Sequence, residues 1–254
     1  MAEPKETVHG GDIYRNPSVT DYSVNSNPLG VPEAVRKSVQ ESADRIMYYP
    51  DVRCDRLRES ISDFERIEKE KILCGNGAAE LFFAVVMAVR PKKALVTAPA
   101  FSEYERALGT VGAEVQYYRL KEEQDFRIQE DILEQITEDT DMIFLCNPNN
   151  PTGQTTEKEL LIRVMNRCNK CGTILVLDEC FIEFLEEPER YECREYLTQY
   201  PNVVIIKAFT KIFCMPGVRL GYALCENAAL RKRMRAMLPV SYTHLRAHET
   251  ELHL

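Results

Sequence analysis

Five groups of residues in this chain have the types and spacing to act together on one small charged ring. Lys211 lies eight residues before Arg219. Asp178 closes the apolar run Thr173-Ile174-Leu175-Val176-Leu177, where an unpaired carboxylate is costly to bury and calls for a cationic partner. Asn150, within Asn147-Pro148-Asn149-Asn150-Pro151-Thr152-Gly153, offers an amide donor. Gly75-Asn76-Gly77-Ala78-Ala79 precedes a helical stretch beginning near Glu80, so the backbone N–H groups of Gly77, Ala78 and Ala79 can hold an anion at a helix N-terminus. Phe101, with Tyr104 as second choice, supplies an aromatic face. These are the parts that pyridoxal 5'-phosphate (PLP) chemistry needs. A lysine amine bonds to the cofactor aldehyde, and a carboxylate keeps the pyridine nitrogen protonated so that the ring accepts electrons. A donor holds the ring hydroxyl, an aromatic ring stacks on the cofactor, and a backbone cup with an arginine holds the phosphate. Lys207 is the rival amine, but it lies inside an apolar strand run. The glycine turn is not a nucleoside-triphosphate loop, because the Gly-Lys-Ser/Thr ending is absent.

The elements that must position these groups follow from the hydrophobic pattern. From about residue 70 onward, short apolar runs alternate with amphipathic stretches. Residues 94–98, 114–118, 142–146, 173–177, 203–206 and 219–224 read as strands; 103–109, 128–136 and 157–169 read as helices. Apolar runs of this length separated by helices predict a mainly parallel sheet covered on both faces, a three-layer α/β/α arrangement with ligands beyond the carboxyl ends of its strands. The asparagine-proline run, Asp178, and the pair Thr210-Lys211 each follow one such strand. Residues 12–32 are rich in Asn, Pro and Gly, and 32–43 read as a helix. The expected division is an N-terminal arm with part of a small α+β domain over residues 1–45, a cofactor-binding major domain over 46–238, and a separate tail over 239–254.

Composition excludes little but is consistent with this. The chain has 254 residues, 44% hydrophobic and 28% charged, with a formal net charge of -8, so nucleic acid is not an expected partner. No run of about 18 apolar residues predicts a membrane span, and the polar opening residues predict no secretory leader. Nine cysteines without a pairing pattern suggest a reducing cytoplasm. Cys168 and Cys171 are spaced for zinc but have no second pair, so no metal is expected.

Taken together, Tyr49-Pro50-Asp51, Gly75-Asn76-Gly77, Asn147 to Gly153, Asp178-Glu179-Cys180-Phe181, and Thr210-Lys211 followed by Pro216-Gly217-Val218-Arg219-Leu220-Gly221-Tyr222 resemble the class I/II (fold type I) aminotransferases. The resemblance covers about residues 8–238. It implies that Lys211 is the cofactor lysine, Asp178 the pyridinium partner, Asn150 the ring-hydroxyl donor and Arg219 the phosphate arginine, with Phe181 and Thr210 in the same pocket. It implies that Tyr49 reaches the phosphate of a partner subunit, hence a homodimer with shared active sites.

Two branches of that family compete, both acting on a small phosphorylated amino-acid substrate. His9-Gly10-Gly11-Asp12, Asn25-Ser26-Asn27-Pro28-Leu29-Gly30, Phe101-Ser102-Glu103-Tyr104 and Phe181-Ile182-Glu183-Phe184 resemble threonine-phosphate decarboxylases of cobalamin biosynthesis. That resemblance makes His9, Gly10 and Asn27 candidate substrate contacts. The alternative is the histidinol-phosphate aminotransferases, which usually carry Tyr where Phe181 stands. Ala208 replaces a Ser or Thr that relatives use on the phosphate, a loss of one hydrogen bond and about 1 kcal/mol. Family chains normally continue through the rest of the small domain and an Arg for the substrate carboxylate, so an inactive cofactor-binding fragment is a third expectation. A PLP-fold regulator is a fourth class, but no DNA-binding segment is visible. Residues 240–250 do not resemble the family and read as a foreign tail. Its His244 and His248, four residues apart, are not read as metal ligands.

Overall fold

The computed structural model describes residues 10–15 and 18–239. His9, one of the candidate substrate contacts, and the tail beyond Pro239 lie outside the described residues. In chain order the main elements are α1 (Glu33–Ser42), α2 (Asp55–Glu65), β1 (Ile72–Gly75), α3 (Gly77–Val89), β2 (Lys93–Ala98), α4 (Glu103–Gly109), β3 (Glu114–Arg119), α5 (Ile132–Gln135), β4 (Met142–Cys146), α6 (Lys158–Cys171), β5 (Ile174–Asp178), β6 (Val203–Ala208), α7 (Phe209–Ile212), β7 (Gly221–Cys225) and α8 (Ala228–Met237).

Seven strands form one sheet in the order β1-β7-β6-β5-β4-β2-β3. The five strands from β3 to β6 are parallel, and β7 runs antiparallel to both β6 and β1. β4, β5, β6 and β7 are buried at every position but one, because helices cover both faces. Side chains alternate across the sheet. Phe144, Val176, Ile206 and Ala223 join Phe82 of α3, Tyr104 of α4 and Leu230 of α8 on one face. Ile143, Leu175, Leu177, Ile205 and Tyr222 join Ile61 of α2 and Leu161 of α6 on the other. The expected α/β architecture with a mainly parallel, doubly covered sheet is therefore present.

Three local expectations change. Residues 128–136 form a helix only over Ile132–Gln135. Ile136 turns extended, and its carbonyl accepts from Arg167 Nε on α6 at 2.7 Å instead of continuing a helical ladder. The last strand begins at Gly221, not Arg219, because Arg219 sits at φ 61, a left-handed conformation that ends extended pairing. Ile72–Gly75 adds a short strand that pairs with β7. Four residues are too few to leave a periodic signal in the sequence.

Candidate functional site

The carboxyl ends of β4, β5 and β6 lie side by side. Cys146 pairs in register with Asp178, and Asp178 with Ile206. The polar groups that follow these strands are thereby brought to one edge: Asn147–Gly153 after β4, Asp178 at the end of β5, and Lys211 in the short α7 after β6. Asn147 holds its loop in place, accepting from Thr156 N at 2.8 Å. Asn149 donates to Thr152 Oγ1 at 2.9 Å. Asn150 is half-buried and is the asparagine of this loop whose side chain makes no hydrogen bond among the described residues, which leaves its amide available to a ligand.

Asp178 is buried. Its Oδ1 accepts from Cys180 N at 2.9 Å and its Oδ2 from the Tyr104 hydroxyl at 2.5 Å. Burial pushes its carboxyl above the usual range, against the pull of the Cys180 and Tyr104 donors and of Lys211. Lys211 is half-buried, and its Nζ lies 5.9 Å from the centroid of the Phe181 ring. Burial, with Arg219 adding to it, lowers the Lys211 amine below its ordinary value, opposed by Cys180 and Asp178. A lysine lowered in this way is closer to a nucleophile.

The anion cup is assembled by two glycines. Gly77 has φ 78, and a Cβ there would stand 2.6 Å from Arg219 Nη2. The guanidinium therefore lies directly against the first turn of α3. Gly221 lets β7 pass that turn, since a Cβ there would meet Ala78 N and the Gly77 carbonyl carbon at 2.8 Å. Glu80 reaches back to Asn76 N at 2.6 Å, a capping interaction that leaves the N–H groups of Gly77, Ala78 and Ala79 pointing out of the helix end. Arg219 is exposed, with one nitrogen donating to Pro216 O at 3.0 Å. Phe101 is partly buried and meets Phe82 and Tyr104 edge-on. Thr210 is buried in α7.

Several residues stand apart from this group. Tyr49 is 86% exposed. Asn27 is engaged by the chain itself. Its N–H donates to Lys211 O at 3.0 Å and its Nδ2 to Ile212 O at 2.8 Å, so it braces the Lys211 turn. Gly10 packs on Ser23, where a Cβ would come within 2.5 Å of Ser23 O. Tyr104 does not stack on the site. Its ring lies on Phe144, 4.8 Å between centroids, and its hydroxyl is on Asp178, which leaves Phe101 as the aromatic candidate.

PLP fits this set on three observations. A buried carboxylate carries excess proton affinity. An amine with no ion pair among the described residues stands within its electrostatic reach. A glycine-lined helix end faces an arginine.

The rival lysine belongs to a different structure. Strand alternation puts Lys207 on the opposite face from Asp178. It is 1% exposed and faces Glu65, Glu192, Glu183 and Glu179 at 3.0, 3.0, 3.2 and 3.9 Å. Arg194 adds a second cation at 2.6 Å from Glu65, and the Tyr222 hydroxyl donates to Glu65. Burial pulls the Lys207 amine down, but the four carboxylates outweigh it and hold it well above its ordinary value. This cluster left no signal in the sequence, where its members are scattered from residue 65 to residue 222.

Four carboxylates around two cations cannot all be ionised without cost. Burial is the main reason Glu179 is pushed from 4.5 up to about 8, opposed by Lys207 and reinforced by Glu192 and Glu65. The folded protein thus holds a proton that the unfolded chain releases above its ordinary pKa. Its contribution to stability falls as pH rises from about 4.5 to about 8. Glu179→Gln should shrink the fall in melting temperature across that interval. An unchanged pH dependence would show that Glu179 is ionised throughout.

The model of the family "Aminotransferase class I and II" matches residues 17–248. The chain is 34% identical to the threonine-phosphate decarboxylase of Salmonella typhimurium over 98% of its own length and 70% of that protein. It is 29% identical to a histidinol-phosphate aminotransferase of Methanococcus aeolicus over 87% of its length, spanning 59% of that relative. The crystal structure of the histidinol-phosphate aminotransferase from Clostridium acetobutylicum superposes with a TM-score of 0.83 at 30% identity, covering 91% of this chain and 68% of that one.

Proposed function

This chain belongs to the class I and II aminotransferase family, whose members use PLP, and from that premise we propose that it is a lyase that removes the carboxylate of threonine phosphate. The products would be carbon dioxide and (R)-1-amino-2-propanol phosphate, with one proton returned to Cα. The observation that carries this reading is the apolar Phe181 ring beside Lys211 Nζ. Transamination asks the lysine to carry a proton from Cα to the cofactor, and a neighbouring hydroxyl helps orient both ends of that transfer. Decarboxylation asks only that one proton be delivered to Cα, which a lone amine can do. The identity with the Salmonella decarboxylase supports the same choice. The TM-score against the Clostridium enzyme favours the second reading, a transaminase of histidinol phosphate.

Bound PLP supplies an electron sink for the bond broken at Cα. The residues of the chain do the rest. Lys211 would hold the cofactor through its amine and move the proton at Cα. Asp178 would keep a proton on the ring nitrogen. Asn150 would hold the ring hydroxyl, and Phe101 would supply the aromatic contact. Thr210, buried beside Lys211, is proposed in the same pocket. Gly77, Ala78, Ala79 and Arg219 would hold the phosphate, with no hydroxyl at Ala208 to help. His9 and Gly10 are proposed near the substrate. Asn27, assigned the same role, acts in this reading by bracing the lysine turn.

A homodimer with Tyr49 completing the partner's phosphate site is part of the proposal. Its support is the exposed apolar stretch Ile46, Met47, Tyr48 and Tyr49, each 61% exposed or more. A cytoplasmic setting agrees with nine cysteines that form no disulfide. No helix among the described residues is long and apolar enough to cross a membrane.

The test is direct. PLP-loaded protein is given threonine phosphate, then histidinol phosphate with 2-oxoglutarate. Carbon dioxide release from the first, with no glutamate formed from the second, is expected. Glutamate formation would move the assignment to the transaminase branch. Cofactor binding with neither reaction would reduce it to a PLP-binding chain.

A further inference from the structure

Asp178 is held on both oxygens, and one of the two holders is a side chain that the proposed mechanism has not used. Tyr104 is fully buried on α4. Its ring is fixed by stacking on Phe144 and by edge contacts with Phe82 at 5.0 Å and Phe101 at 5.8 Å. The hydroxyl, carried on this rigid ring, donates to Asp178 Oδ2 at 2.5 Å. The groups that face Asp178 are few: Tyr104 from α4, Cys146 from β4, Cys180 after β5, and Lys211 from α7. Burial pushes the thiols of Cys146 and Cys180 well up, so both stay neutral and donate weakly. Burial and the adjacent Asp178 push the Tyr104 phenol up too, so it remains a protonated donor.

We propose that Tyr104 is a positioning residue for Asp178: its phenol keeps the carboxylate charged and aimed, so that the shared proton stays on the nitrogen of a bound pyridine ring. The physical basis is that a hydrogen bond donated to a carboxylate lowers its basicity. Without the phenol, Asp178 would keep only the Cys180 N–H and the weak Cys180 thiol as donors, in a site where burial already favours its neutral form. The proton would then move from the ring nitrogen to Asp178, and the ring would be a weaker electron sink. The proposal rests on Asp178 being the ring-nitrogen partner, and the test separates the two claims.

Tyr104→Phe keeps the ring and its packing and removes one oxygen. The protein is loaded with PLP labelled with nitrogen-15 in the ring, and the resonance of that atom reports its protonation. In Tyr104→Phe the signal should shift from the protonated toward the neutral-pyridine position. In Asp178→Asn it should reach the neutral position. A Tyr104→Phe signal equal to wild type, with Asp178→Asn shifted, overturns the role of Tyr104 alone. An unshifted Asp178→Asn signal overturns the assignment of Asp178 and the proposal with it. Should Tyr104→Phe not fold, the wild-type protein still decides. A slowly exchanging phenolic proton at low field, lost in Asp178→Asn, is expected, and its absence overturns the proposal.

Discussion

Lys211→Ala protein is expected to fold as wild type does, to bind PLP without a bond to it, and to lose roughly a hundred- to ten-thousandfold in turnover. The fold should survive because nothing structural depends on the Lys211 side chain. Its turn is held by backbone groups: Asn27 N to Lys211 O at 3.0 Å and Met215 N to Thr210 O at 3.1 Å. The amine itself is half-buried beside Phe181 and lowered from its ordinary value. Removing such a group relieves desolvation, so the melting temperature of the cofactor-free protein should not fall. Chemistry should fail because the same amine is both the attachment point and the proton carrier. Dialysis of the loaded variant checks the first half, since PLP should wash out. Retention equal to wild type would mean that another residue holds the cofactor.

Lys207→Met is expected to do the reverse. Four carboxylates face Lys207 within 4 Å, and Met leaves Arg194, paired with Glu65 and Glu192, as the remaining cation of the cluster among the described residues. Deleting one partner of a buried ionic group costs about 3–5 kcal/mol, a large share of the roughly 5–15 kcal/mol that holds a typical domain together. The loss should be greatest above pH 8, where Glu179 has given up its proton, and smaller near pH 5. Any protein that remains folded should still attach PLP. Denaturant unfolding of the variant at the two pH values checks this. A Lys207→Met protein as stable as wild type, but unable to attach PLP, would exchange the roles of the two lysines.

How much of this was legible in the sequence depended on the range of the interaction. The shared sheet edge of Asp178, Asn150 and Lys211 was readable because each lies at or within a few residues of the end of an apolar strand run, and a parallel sheet brings such positions together. The turn at Gly77 was readable because a glycine pair directly precedes a helical stretch, and Gly77 takes the positive φ such a turn needs. The sequence offers Tyr104 as a second-choice stacking ring, but its ring lies on Phe144. Its hydroxyl meets Asp178 across 74 positions of chain, and no local pattern encodes that contact. The cluster around Lys207 was invisible for the same reason. A lysine in an apolar run signals burial, but its carboxylates come from α2 and from irregular segments after β5. The helix expected over residues 128–136 failed because tertiary bonds at Ile136 outweighed a local pattern.

The most direct test of the central claim is to trap the cofactor on the residue that holds it. PLP-loaded wild-type protein is reduced with borohydride, which makes the lysine linkage permanent, and is then digested and sequenced by mass spectrometry. The pyridoxyl group is expected on Lys211. Finding it on Lys207, or scattered over surface lysines with Lys211 unmodified, would contradict the account.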